Sequence, residues 1–183
     1  MSAARATLVT LALVIAAVSV ASARYVEGNK SASSMTYMLI HPLHKIEATS
    51  NDVYFKIDVD QATRKISYVY AKSDVTTFNS GNSSRDSHAM EVIDAMTYPD
   101  VEFTGTSIQQ NGDQITVTGK LNFHGVTKEI SVPGTTQWDN DKLVVTGHFE
   151  ISLTAFSIER PSLLMVPTED ALKFDYTATF PLK

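Results

Sequence analysis

Four side chains in this 183-residue sequence have the types and spacing to do chemistry together. Arg85, Asp86 and His88 fall in the run Phe78-Asn-Ser-Gly-Asn-Ser-Ser-Arg-Asp-Ser-His88, and His124 opens His124-Gly-Val-Thr-Lys128. A guanidinium can grip an anionic head group with its planar fork, and a carboxylate can orient an imidazole for proton transfer. The same residues suit a mechanical task, in which Arg85 and Asp86 pair as a clasp fixing one segment to the rest of the fold. The clasp takes precedence, then head-group recognition, then proton transfer. His124-Gly125 also reads as a tight turn between two strands, with Gly125 supplying permissive dihedrals. Nucleophilic catalysis lacks its parts, since the chain has no cysteine and no Gly-x-Ser-x-Gly elbow. His41 and His44 are three apart, but Pro42 interrupts any helix between them and no Cys or carboxylate completes a set, so no metal is expected.

The segment carrying Arg85 must be helical for its residues to act from one place. Ser80, Asn82, Ser83 and Ser84 are all able to cap an orphan helical N–H, and Asp86 puts negative charge in the first turn. Ala89, Met90, Ile93 and Met96 then recur at three and four, giving one apolar stripe, and Tyr98-Pro99 closes the segment. This predicts a short helix over about 83–96. Such a helix cannot bury its stripe alone, so it must lie against the inner surface or an open end of what the strands build, as a lid.

The rest of the chain alternates with period two. Phe55, Ile57 and Val59 interleave with charged residues, and Ile66, Tyr68 and Tyr70 follow across a turn. Asn111-Gly112 joins strands leading to Val117, Leu121 and Phe123; later runs hold Phe149 and Ile151, then Phe174 and Tyr176. Arg24 to Ser50 is harder to read, with Met35 to Ile40 as a first strand. About eight such runs suffice to close an antiparallel β-barrel and remove its edges, although a sandwich satisfies the same alternation. Gly119 and Gly147 fall in the apolar phase, where a missing side chain permits a bend or leaves inner room.

The run from Phe78 to His88, followed by Tyr98-Pro-Asp-Val-Glu-Phe103 and by Gly119-Lys-Leu-Asn-Phe-His-Gly-Val-Thr-Lys128, closely resembles the YceI-like family over roughly Ser50 to Phe180. The resemblance implies an all-β, lipocalin-like barrel, exported to the periplasm or secreted, that carries an amphiphilic polyisoprenoid-type lipid. Ligand-lining candidates are Phe55, Ile57, Phe103, Val117, Leu121, Phe149, Ile151, Phe174 and Tyr176, with Phe78, Met90 and Ile93 closing one end. Arg85, Asp86, His88 and His124 are the head-group or clasp candidates. Methionine suits a cavity that must fit flexible chains. A barrel of this size can instead be filled by its own side chains. The apolar stretch Leu163-Leu-Met-Val166, between Pro161 and Pro167, is expected to pack under the barrel rim, with an exposed docking surface as the alternative.

Residues 1–23 read as a secretory signal: Arg5, a nearly unbroken apolar run from Thr7 to Val20, and Ala21-Ser-Ala23 as the cleavage site. An uncleaved anchor is the alternative. Cleavage removes one positive charge, Arg5, moving the formal net charge from −5 to −6 and leaving 160 residues, enough for a single domain. Mild acidity without a Lys/Arg cluster excludes nucleic acid, and attraction to anionic membranes with it. The mature chain is expected to lack a transmembrane segment and to take no cofactor. The partners left are an amphiphilic lipid and a second copy of the chain. Lipid carriage is the leading function. A stress-related interaction protein with a filled barrel and an enzyme acting on a lipid-borne group are the rivals.

Overall fold

The computed structural model describes residues 23–183, so the expected signal segment, like its reading as an anchor, lies outside the described residues. Among the described residues no helix is long and apolar enough to cross a membrane. The period-two runs form strands β1 (Arg24–Glu27), β2 (Ser34–His41), β3 (His44–Ser50), β4 (Val53–Asp60) and β5 (Lys65–Asp74), then helix α1 (Ser83–Val92). Strands β6 (Asp100–Asn111), β7 (Gln114–Phe123), β8 (Val126–Trp138) and β9 (Lys142–Ser152) follow, then the two-residue β10 (Ser162–Leu163) and β11 (Val166–Pro167), and last β12 (Ala171–Pro181).

Ten strands make one antiparallel sheet in the order β1-β4-β5-β6-β7-β8-β9-β12-β2-β3, while β10 and β11 pair separately. The sheet curls on itself. Gly28, just past β1, donates its N–H to the Phe55 carbonyl on β4, and Asn29 donates to the Thr179 carbonyl on β12, each at 2.7 Å. The architecture is the expected antiparallel, barrel-like one with a single helix among the described residues. It has ten sheet strands rather than about eight, because the poorly periodic Arg24–Ser50 stretch supplies β1 and β3 as well as β2.

Two bulges change which residues point inward. Asp58 pairs with Tyr68, but Val59 pairs with Ile66, leaving Ser67 without a partner. An extra residue reverses the phase beyond it, so Val69 and Ala71 face the interior, and Tyr68 and Tyr70 do not follow Ile66 inward as expected. Their rings pack instead edge-on against Tyr25 and Tyr54, with centroids 5.6 and 6.1 Å apart. A second bulge lies between Gly105 and Ser107.

Helix α1 starts where capping requires: the Asn82 side chain accepts the Arg85 backbone N–H at 3.1 Å. It ends at Val92, four residues short of the expected end. Asp94 takes a left-handed conformation at φ 45°, its N–H bonding Glu91 O while the Ala95 N–H reaches back to Met90 O. These are the two bonds of a Schellman stop, built here without the usual glycine. The stop folds Ala95 into the core and turns Met96 out to 99% exposure, so Met96 leaves the predicted stripe. Met90 and Ile93 remain packed against the core.

The Leu163–Val166 segment is also placed differently from expectation. It forms the tip of the β10–β11 hairpin and is exposed rather than tucked under the rim, because the short pairing of β10 with β11 lifts it off the sheet.

Asp94→Gly should raise stability by about 1 kcal/mol, since glycine occupies the left-handed region without the penalty other residues meet there. The expected readout is a thermal midpoint roughly 2–4 °C higher.

Candidate functional site

The inward side chains do not fill the space they surround. An almost wholly apolar cavity of about 240 Å³ opens inside the curl. An engineered apolar cavity of roughly 150 Å³ already stays dry and takes up benzene, so this volume is large enough to matter. All twelve positions predicted to line the interior and its lid border this cavity. Others do too. Val69 and Ala71 were hidden from sequence reading by the β5 bulge, whereas Tyr37 and Leu39 on β2 could have been found from the alternation Met35, Tyr37, Leu39.

The helical end of the cavity is bordered by Arg85, His88 and Ala89. Asp86 and His124 do not line it, and the four candidate polar groups do not converge. No ion pair joins Arg85 to Asp86; the Asp86 carboxylate instead accepts the Ser80 backbone N–H at 3.1 Å and stiffens the entry to the helix. What fixes the helical segment to the sheet is backbone and ring contact. Thr49 and Asn79 exchange two backbone bonds of 3.0 Å, and the Phe78 ring packs on Tyr37 at 5.5 Å. Burial raises the Tyr37 phenol, with nearby Asp86 reinforcing the shift and Arg85 opposing it. Arg85 therefore lies beside a half-buried phenol at the cavity's edge, in no ion pair among the described residues.

The histidines divide by role. His88 sits on the exposed face of α1, its Nδ1 3.5 Å from Glu91 Oε2. His124 and Gly125 both have positive φ, 52° and 72°, forming the two-residue turn of the β7–β8 hairpin. The Tyr98 ring lies against this turn, and His124 Nδ1 bonds the Phe156 carbonyl at 3.1 Å, so His124 is structural. His41 is buried; it accepts the Leu43 N–H on Nδ1 at 3.2 Å, which leaves Nε2 to donate to Val166 O at 2.9 Å. Among the described residues no group of three or more His, Asp or Glu could hold a metal.

One wall of the cavity has a break in its ladder. Strands β8 and β9 pair only from Thr135 to Trp138. Pro133 has no N–H to offer, and its carbonyl accepts the Tyr176 hydroxyl at 2.9 Å instead. The tyrosine reaches across β9 at Gly147, where any Cβ would collide with Pro133 and with the Tyr176 ring. This gives Gly147 a reason beyond spare inner room. Beyond Pro133, the half-buried Ile130, Val132 and Phe149 line the cavity along the unpaired stretch.

A curled antiparallel sheet around an apolar cavity, with a helix across one end, defines a lipocalin-like fold. The chain belongs to the YceI-like family, whose domain model matches residues 26–180, starting well before the motifs that carry the resemblance. It is 27% identical over 138 residues to the UPF0312 protein of Pseudomonas putida F1, covering 70% of this chain and 69% of that one. Against Protein YceI of Escherichia coli O157:H7 the identity is 27% over 92 residues, or 46% and 48% of the two chains. BcnA of Burkholderia cenocepacia superposes with a TM-score of 0.75 at 20% identity, covering 83% of this chain and 98% of that one. A polyisoprenoid binding domain from Saccharophagus degradans, implicated in plant cell wall breakdown, does so with 0.66 at 13% identity, covering 87% and 99%.

Burial pushes the Tyr176 phenol up to about 12, so it stays a donor at all ordinary pH values. An unfolded tyrosine ionises near pH 10, so the unfolded chain loses its proton first and this contribution to stability drains away as pH rises from about 10 to 12. Tyr176→Phe should lose about 1 kcal/mol at pH 7 through the unmade bond to Pro133. Urea titrations at several pH values should show that deficit shrinking between pH 10 and 12.

Proposed function

We propose that the protein holds a polyisoprenoid or other long-chain amphiphile, tail in the cavity and polar head at the helical rim. The observation that carries this reading is the unfilled apolar interior with Arg85 at its edge in no ion pair among the described residues, whereas Lys72, the other cation lining it, pairs with Asp100 and Glu102. A chain drawn from water into such a space gains roughly 0.8 kcal/mol per buried methylene. The flexible Met90 can adapt to differing chains. Arg85 presents a fork able to bind a carboxylate or phosphate. The similarity to the polyisoprenoid binding domain of Saccharophagus degradans supports the same class of ligand.

We propose binding rather than turnover: Arg85 and His88 at the rim suit holding an anionic head, while Asp86 and His124 are engaged elsewhere. The cavity also argues against a barrel filled by its own side chains. We further propose export, with cleavage after Ala23; the purified native chain should then begin at Arg24 by mass spectrometry.

Native mass spectrometry of the purified protein should show an added lipid mass that organic extraction releases, and would report at once whether the chain pairs as a homodimer. A protein that is empty and refuses isoprenoid and fatty-acyl probes defeats carriage. Arg85→Ala should weaken binding of geranylgeranyl diphosphate about 10-fold or more, the worth of a charge-assisted bond, while leaving geranylgeraniol little changed. Equal loss for both probes would remove Arg85 from head-group recognition.

A further inference from the structure

The β10–β11 hairpin combines three properties that seldom coincide. Its tip is apolar and open to solvent, with Leu164 at 79% and Met165 at 92% exposure. Both residues are left-handed, at φ 52° and 66°, in a two-residue turn that favours Asn-Gly. The β7–β8 turn of the same chain does use a glycine, Gly125, for such a conformation. A strained turn that exposes apolar side chains gains nothing from the fold around it, and strain of this kind collects where function holds it.

The tip is nonetheless braced. Thr168 donates its N–H to Pro161 O at 2.8 Å, and Arg160 Nε donates to Thr168 O at 2.8 Å. His41 Nε2 holds Val166 O, which sets the hairpin beside the β2–β3 turn, where Leu43 is 67% exposed. Pro161, at the root of the hairpin, borders the cavity together with Arg85 and His88. The apolar finger therefore stands at the rim of the cavity.

We propose that this finger, Leu163 to Val166 with Leu43 beside it, inserts into an electrically neutral bilayer surface and sets the cavity's rim on the lipid phase. The inference rests on the reading of the cavity as an amphiphile site, whose cargo resides in membranes rather than in water. A six-residue hairpin is convex and narrow. It cannot approach the roughly 1,200–2,000 Å² that a stable protein interface buries, but it can enter a bilayer by its tip. The formal net charge of −5 gives no pull toward anionic lipid, so the contact is apolar.

The test is flotation of the full chain with phosphatidylcholine vesicles, in parallel with loading by geranylgeraniol supplied in solution. The wild type should float. Leu164→Asn with Met165→Gly supplies the residues the turn favours, so its thermal midpoint should hold or rise while the vesicle-bound fraction falls about 10-fold. Leu43→Ser should lower it less. Geranylgeraniol loading should be unchanged in every variant. A wild type that loads but does not float overturns the finger and leaves carriage standing. One that floats but never loads overturns carriage alone. Flotation of the double variant equal to wild type, capture by anionic vesicles alone, or self-association abolished by the double variant without flotation would each overturn the proposal.

Discussion

Closing the sheet on itself is the constraint from which the other features follow. The Gly28 and Asn29 backbone bonds bring β1 between β4 and β12, and the side chains of Arg24 and Gln61 both donate to the Leu182 carbonyl near the same closure. Once β1 meets β12, the inward side chains point at a shared interior, and apolar burial becomes collective. Val59 and Leu143 end fully buried while the middle of the tube stays open. A cysteine-free chain thus gains its stability from packing and ladder bonds. Its ion pairs add little. Lys72 with Asp100 and Glu102, the least exposed Lys–carboxylate cluster, still has side chains 38% to 45% open to water.

Curvature has to be relieved where strands crowd, and glycines and bulges do this. A Cβ on Gly119 would strike the Phe103 ring, and one on Gly147 would strike Pro133 and Tyr176. At the second place the relief has a side effect. Proline and glycine together let a tyrosine hydroxyl take over a ladder bond, and pairing of β8 with β9 stops there.

Left-handed residues other than glycine mark the stops and turns: Asp94 ends α1, His124 turns β7 into β8, and Ser157 ends a short 3-10 turn. Each of these is followed by buried or packed structure that holds it: Ala95, the Tyr98 ring and Ile158 respectively. Leu164 and Met165 have no such cover, and they differ from the exposed Arg64, left-handed in the β4–β5 turn, in being apolar.

Much of this was readable in one dimension. Alternation of apolar and polar residues reports a sheet with one buried face, because side chains on a strand change sides at every residue, and it placed Phe55, Val117, Ile151 and Phe174 correctly on the cavity wall. The Asn82 cap was legible for the same reason: capping is local. What the sequence could not carry was long-range. A bulge at Ser67 depends on how β5 meets β4, and it inverted Tyr68 and Tyr70. Asp94 has no mandatory left-handed signal, so the helix end was misjudged. Adjacent Arg85 and Asp86 invite pairing on paper, yet the fold gives Asp86 to the Ser80 N–H and leaves Arg85 at the cavity's edge. Local periodicity and capping belong to the sequence because they involve neighbours. Phase, partner choice and empty volume belong to tertiary structure, because they are settled only when distant strands meet.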